Sequence, residues 1–559
     1  MTSLTALGGP KGSGGRPITG HPDGPVTARS AALTGTGTLL RLGLRRERIS
    51  LAIWVYAICI TLIASFPTLS ALYPDQASRD AIAGGIAGTP AFVVMTGPVT
   101  STTLGGLTAW RYGVLGAAAV ALMAILTVVR RTRADEEAGR TELLAAGVLG
   151  RFAPLAAALG LVWGACLTIG VVVAAGAVVT GQPVAGSILL GATLAGPGMV
   201  FGSIAAVAAQ LVESARAATG LAGAALAVAF ALRAVGDTIT GAGFASWLSP
   251  IGWGQKLAAY GADRWWVLVP LVAAAGAFAA WAVRLQSHRD VGLGVWPARL
   301  GRATNPRMRS PLALAARLQR GSLIGWSIGF LALGAMTGAM ATDTGTLLAG
   351  NAKLTEIMHQ LGGPGGLTDV LLASMGAIGG LLAAAYGISA MLRLTSEESA
   401  ERAAPVLATA VDRRRYLAGH LLFALAGPGW LLLVGGVLTG LLYGASSGTM
   451  GSSMGDGLSS MLVQYPAALV LVGLAAALHG LVPRLAVLAW AALGVSLLLG
   501  QLGPLLQLPR AAMDISPFAH VPQLPSVPMS WTPVVVLALV AAALVAIGLA
   551  GFRRRDLRS

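Results

Sequence analysis

Arg48-Ile49-Ser50-Leu51-Ala52-Ile53-Trp54 leads into one long apolar run, and Arg320-Gly321-Ser322-Leu323-Ile324-Gly325-Trp326 leads into another. Arg, Ser, Leu and Trp hold the same four places in both stretches. A second match follows the next apolar run in each region: Asp135-Glu136 with Arg140 returns as Glu397-Glu398 with Arg402. Two tandem copies of one unit are the simplest explanation. Parallel internal repeats are a recurrent way of building a pseudo-symmetric pathway between two halves of a membrane protein.

Composition points the same way. Of 559 residues, 55% are hydrophobic and only 11% charged, whereas soluble chains carry about 25% charged residues. The expected fold class is therefore all-α and polytopic, with about twelve transmembrane helices in two tandem six-helix repeats at roughly 20 apolar residues per span. The runs begin near Ile49, Leu107, Phe152, Ser187, Ala217 and Trp265, then near Gly321, Val370, Tyr416, Leu458, Leu485 and Trp531. The net charge of +16 would suggest nucleic acid in a soluble domain. Here the arginines sit in short segments between apolar runs, where they set membrane orientation, so no nucleic-acid partner is expected.

Arginine placement checks the count independently. Alternate segments hold Arg45, Arg46 and Arg48; Arg130 to Arg151; Arg216; Arg284 to Arg320; Arg393 to Arg415; Arg484; and Arg553 to Arg555, while the segments between them are arginine-poor. By the positive-inside rule the chain is a multi-pass protein of the cell membrane with both termini cytoplasmic. Four regions follow: a disordered cytoplasmic tail over 1–35, a first repeat over 36–286 with a connecting helix around Leu39–Arg48, a cytoplasmic linker over 287–319, and a second repeat over 320–559. The outer segments 74–106 and 343–369 are long enough for short interfacial helices. Ser249-Pro250 and Ser516-Pro517 mark corresponding turns before spans six and twelve.

Few residues have the pattern that chemistry needs. Cys59 and Cys166 both lie in apolar runs, which argues against a disulfide framework or a cysteine metal site. The six histidines lack metal-ligand spacing, and no catalytic constellation appears; His479, near the inner end of span ten, is a candidate proton relay. Arg233 and Asp237, one helical turn apart on span five, read first as an ion pair and second as a contact with cargo. Trp54, Trp326, Met336 and Met340 are candidate linings of a substrate pathway, although aromatic and methionine stripes are more often packing. Gly376 and Gly380 have the spacing of a helix-packing device.

Between spans two and three, Arg133-Ala134-Asp135-Glu136-Glu137-Ala138-Gly139-Arg140-Thr141-Glu142 reads as a short amphipathic helix in which Asp135 or Glu136 reaches Arg140. Its counterpart runs from Thr395 through Glu397 and Glu398 to Arg402. Two such helices at equivalent positions suit docking to a symmetric partner. That partner is expected to be an ATPase, because this chain has no P-loop: Lys11, Lys256 and Lys353 follow Pro10, Gln255 and Ala352, not the glycine a P-loop requires.

These stretches, together with Leu248-Ser249-Pro250-Ile251-Gly252-Trp253 and Leu318-Gln319-Arg320-Gly321-Ser322-Leu323, resemble the permease subunits of ABC-2 type exporters, and more narrowly the actinobacterial double-length permeases of the tetronasin-resistance type. The resemblance covers about 36–555. It implies a non-enzymatic permease that holds no cofactor itself, served by two copies of a separate P-loop subunit that binds ATP and Mg. It implies that Asp135, Glu136, Glu137, Arg140 and Glu142, with Glu397, Glu398 and Arg402, form the two coupling helices. Half two has Ala400-Glu401 and Ala403-Ala404 where half one has Gly and Glu, so the two sites are expected to differ in strength. The cargo would be an amphiphilic drug or polyketide-like antibiotic, lying between the halves within membrane lipid. A proton-coupled secondary transporter needs a carboxylate deep in a span, and a membrane-embedded transferase needs clustered external acids; neither pattern is visible.

Overall fold

The computed structural model describes residues 32–87, 90–141, 149–290, 292–296, 310–348, 366–399, 401–409, 411–502 and 509–554. Most of the expected tail, Glu142, part of the linker and much of the second outer segment lie outside the described residues. Among the described residues every regular element is helical, and twelve helices are long and apolar enough to cross a membrane.

The first half contains α1 (Thr36–Leu72), α2 (Gln76–Ala87), α3 (Pro90–Thr96), α4 (Leu104–Arg131), α5 (Arg133–Glu137), α6 (Ala153–Val179), α7 (Val184–Leu211), α8 (Ala215–Thr238), α9 (Phe244–Trp247), α10 (Pro250–Lys256) and α11 (Leu268–Ser287). The second contains α12 (Pro311–Leu348), α13 (Leu367–Ser399), α14 (Ala403–Leu407), α15 (Arg413–Ser447), α16 (Met450–Leu462), α17 (Tyr465–Leu481), α18 (Leu488–Leu502), α19 (Arg510–Met513) and α20 (Trp531–Arg554). In the first half α4 packs on α1 and α7, α6 on α1 and α7, and α11 on α7. In the second, α13 packs on α12 and α17, α15 on α12 and α16, and α20 on α17. The two halves therefore share a similar pattern of helix contacts. The halves touch where α12 meets α2 and α3.

Local chemistry sets several boundaries. Thr103 caps α4 by accepting the Gly106 N–H at 3.1 Å, and Arg130 and Arg131 close its last turn, where cations suit the helix dipole. Ser249 caps α10 by accepting the Gly252 N–H at 3.2 Å, with Pro250 at the first helical position. That turn is thus the start of a buried helix. The connecting helix continues into span one: α1 runs unbroken from Thr36 to Leu72, with no Gly or Pro between Gly43 and Pro67. Span ten, by contrast, divides into α16 and α17 at Val463-Gln464, ahead of Pro466.

Glycines allow the closest crossings. A side chain on Gly376 would strike the Ser460 carbonyl, and one on Gly380 would come 2.7 Å from Gln464 Cβ. Gly191 and Gly170 bring α7 and α6 together in the same way.

Candidate functional site

The arginine-rich end of the bundle gathers the predicted coupling residues into two related clusters. In half one, Asp135 lies between Arg140, at 2.7 Å, and Arg131, at 3.8 Å. In half two, Glu397 lies between Arg402, at 2.8 Å, and Arg393, at 3.8 Å. Both carboxylates are mostly buried, while Arg140 and Arg402 are exposed. Glu397 raises the Arg402 guanidinium further above its ordinary value by accepting its hydrogen bond.

Around these triads the halves part. Glu136 points inward to Arg289 from the linker, with contacts of 2.6 and 3.1 Å, and to the buried Arg133 at 2.5 Å. Arg289 also donates to Gln210 Oε1 at 2.6 Å and to the Leu293 carbonyl at 2.9 Å. Arg133 donates to the carbonyls of Gly292 and Leu293. The Val295 and Trp296 N–H groups bond to the carbonyls of Gln210 and Leu211 at the end of α7. Residues 289–290 and 292–296 thus strap the base of half one. Glu137 accepts the Ala215 N–H at 2.9 Å and so caps α8 together with Ser214. In half two the place of Arg289 is taken by His479: its Nε2 is 3.3 Å from Glu398, its Nδ1 is 2.8 Å from the Thr395 hydroxyl, and its ring stacks on Phe552.

Two residues escaped sequence reasoning. Glu47, buried among the arginines of α1, pairs with Arg130 at 2.9 Å and with Arg131. Gln319 occupies the matching place on α12, buried, and donates to the Ala390 carbonyl at 3.0 Å. A lone acid amid Arg41, Arg45, Arg46 and Arg48 was the available signal.

Between α8 and α12 runs a groove of about 770 Å³, lined by Arg216 and Gly220 on one side and by Gly321, Ser322, Gly325 and Trp326 on the other. Unlike the glycines at crossings, Gly220, Gly321 and Gly325 face open space: a side chain on any of them would meet nothing within 4 Å. Trp326 sits edge-on against the buried Tyr386, with ring centroids 6.2 Å apart. Arg216 lies within electrostatic range of Arg393 from the other half.

A family model described as the C-terminal domain of the multidrug efflux system permease Rv1217c matches residues 308–553. The multidrug efflux system permease protein Rv1217c of Mycobacterium tuberculosis is 40% identical to this chain over 532 residues, covering 95% of this chain and 96% of that protein. The chain belongs to this family of multidrug efflux permeases.

The remaining predicted residues fall apart spatially within the permease. Trp54 packs on the core of half one, and neither it nor Met336 nor Met340 lines the groove. Arg233 and Asp237 form an ion pair at 3.5 Å near the end opposite the arginines. Arg233 is fully buried and donates to the carbonyls of Val93, at 3.3 Å, and Val94. It ties α8 to α3. Among the described residues no group of His, Cys, Asp and Glu has the geometry to hold a metal ion.

Proposed function

We propose that this permease is the transmembrane part of an ATP-driven ABC-2 type exporter, moving amphiphilic drugs out of the cell with two copies of a separate P-loop ATPase. The observation that carries this reading is the pair of matching triads, Arg131–Asp135–Arg140 and Arg393–Glu397–Arg402, at the basic ends of corresponding spans. Each places one exposed arginine on a rigid, internally paired base, which suits docking of a partner present twice. The basic end is cytoplasmic in this reading, with both chain termini on that side. The relative's name, which speaks of multidrug efflux, supports the cargo class.

In this mechanism the ATPases push on α5 and the corresponding end of α13, and the two halves rock about their shared contact. Glu136 serves by holding the first docking element against the strap; the outward-facing contacts come from Arg140 and Arg402. Cargo enters the groove between α8 and α12, where the glycine faces leave room, Trp326 offers an aromatic wall and Arg216 a cation.

Purification of the tagged chain from its native membrane in mild detergent is the first test. Recovery of a P-loop protein at two copies per chain is expected; recovery of the chain alone, under conditions where ABC complexes survive, would overturn the energy source. The groove is tested by Gly325→Leu. Because the added side chain enters open space and leucine favours helix over glycine by about 0.8 kcal/mol, thermal stability should hold while drug efflux falls at least tenfold. Unchanged efflux would remove the groove from the pathway.

A further inference from the structure

The groove between α8 and α12 is polar at one end and apolar along the rest. Arg216, Thr219 and Ser322 lie at its arginine-rich end, close to where the apolar runs of both helices begin. Gly325 and Trp326 follow one turn further along α12 and Gly329 two turns further. All three polar side chains line the groove with hydrogen-bonding capacity unspent. Among the described residues Arg216 makes no ion pair, and neither the Thr219 nor the Ser322 hydroxyl makes a hydrogen bond.

The surroundings of Arg216 call for a negative charge. It stands in the first turn of α8, where the helix dipole is itself positive. Arg393 of α13 is a like charge within electrostatic range, and its own carboxylate partner, Glu397 at 3.8 Å, is shared with Arg402. Glu137, the acid that reaches α8, caps the Ala215 N–H and does not pair with Arg216. No acidic side chain lines the groove, so a cationic ligand would meet a like charge and no counter-charge. An anion would gain a charge-assisted hydrogen bond from an exposed guanidinium that has none to give up.

Beyond the polar end the walls suit an apolar body. Side chains on Gly321, Gly325 and Gly329 would meet nothing within 4 Å, and the Trp326 ring is set in place by its edge contact with Tyr386. The volume of about 770 Å³ falls in the range of about 300–1,000 Å³ that takes one drug-sized ligand. We propose that the groove selects drug-sized amphiphiles with an acidic head. The head accepts from the Arg216 guanidinium and from the Thr219 and Ser322 hydroxyls, and the apolar body lies along Gly325 and Trp326. This assigns a charge to the cargo and rests on the reading of the groove as the cargo path.

The test titrates the full-length chain, in phosphatidylcholine nanodiscs without nucleotide, with 6-bromohexanoate, 6-bromohexanol and (6-bromohexyl)trimethylammonium. Bromine quenches a nearby indole, and the part of the quenching that Trp326→Phe removes reports on the groove. That part should saturate at a concentration at least tenfold lower for the carboxylate than for the alcohol, and should not saturate with the cation. Arg216→Gln should erase the preference, Arg216→Lys should keep most of it, and Arg216→Glu should turn it toward the cation. Equal saturation by the alcohol or the cation, a preference unchanged in Arg216→Gln, or no saturable quenching at Trp326 would each overturn the proposal. Phosphatidylglycerol blended into the discs separates the two sources of an acidic head. If it abolishes the carboxylate signal, a lipid occupies the groove and the proposal falls; if the signal persists, the free acid is the occupant. The assay needs no second subunit, so its outcome is separable from how transport is powered. Loss of efflux in Gly325→Leu without any charge preference would keep the groove as the cargo path and reject only its selectivity.

Discussion

The base of half one and the base of half two solve one problem with different residues. Both anchor an exposed arginine on a buried carboxylate flanked by a second arginine. Half one then adds Glu47 beneath Arg130 and Arg131 and straps Glu136 with Arg289 from the linker. Half two has the neutral Gln319 in place of Glu47 and His479 in place of Arg289. The first base is held by a permanent cation, since guanidinium stays charged, and the second by a group that is charged only when protonated. The two bases thus share an exposed arginine on a paired carboxylate but differ in what holds that carboxylate's neighbour.

Substitutions that exchange or remove the distinguishing residues test this contrast. The largest effect is expected from Arg289→Ala. It leaves Glu136 buried with Arg133 as its remaining charged partner and frees Gln210, at a cost of about 3 kcal/mol. The strap should detach, read as a lower melting temperature in nanodiscs and as faster proteolysis near residue 290. Unaltered cleavage would mean that the backbone bonds of Val295 and Trp296 suffice to hold it.

Glu47→Gln copies half two into half one and should cost about 2 kcal/mol, since Arg131 retains only the more distant Asp135. If the two bases were equivalent, the swap would be silent in the same melting assay. Arg402→Ala should cost no more than about 0.5 kcal/mol, because its guanidinium is more than half exposed and its pairing with Glu397 is screened by water. Its effect belongs instead in partner-stimulated transport, where a marked loss with unchanged stability would place Arg402 in the docking contact.

Short separation in sequence made the triads legible, but only Arg393–Glu397 is a helical pair; Thr132 breaks the helix between Arg131 and Asp135, and Arg140 and Arg402 lie beyond helix ends, past Gly139 and Glu401 in left-handed conformation. Arg233–Asp237 was legible for the same reason. The strap was not: Arg289 reads as one more basic residue of a linker, and nothing local ties it to Glu136 or Gln210. Arg133 similarly reads as a solvated charge yet is buried, its cost met by Glu136 and two carbonyls of the 292–293 turn. His479 carried a hint as a buried-span histidine, but its partner Glu398 lies on another helix. The groove was invisible because a glycine on a membrane helix more often marks a close crossing, as Gly376 does, than an open wall like that of Gly325.

Hydrophobic runs, arginine placement and helical spacing by themselves determined the helical class, the twelve spans and the local ion pairs, because each depends on neighbours along the chain. Tertiary structure alone decided which acids face inward and which glycines pack and which remain open. Those outcomes depend on contacts between segments distant in sequence, and a helix does not specify by its own spacing which neighbour will cover each of its faces.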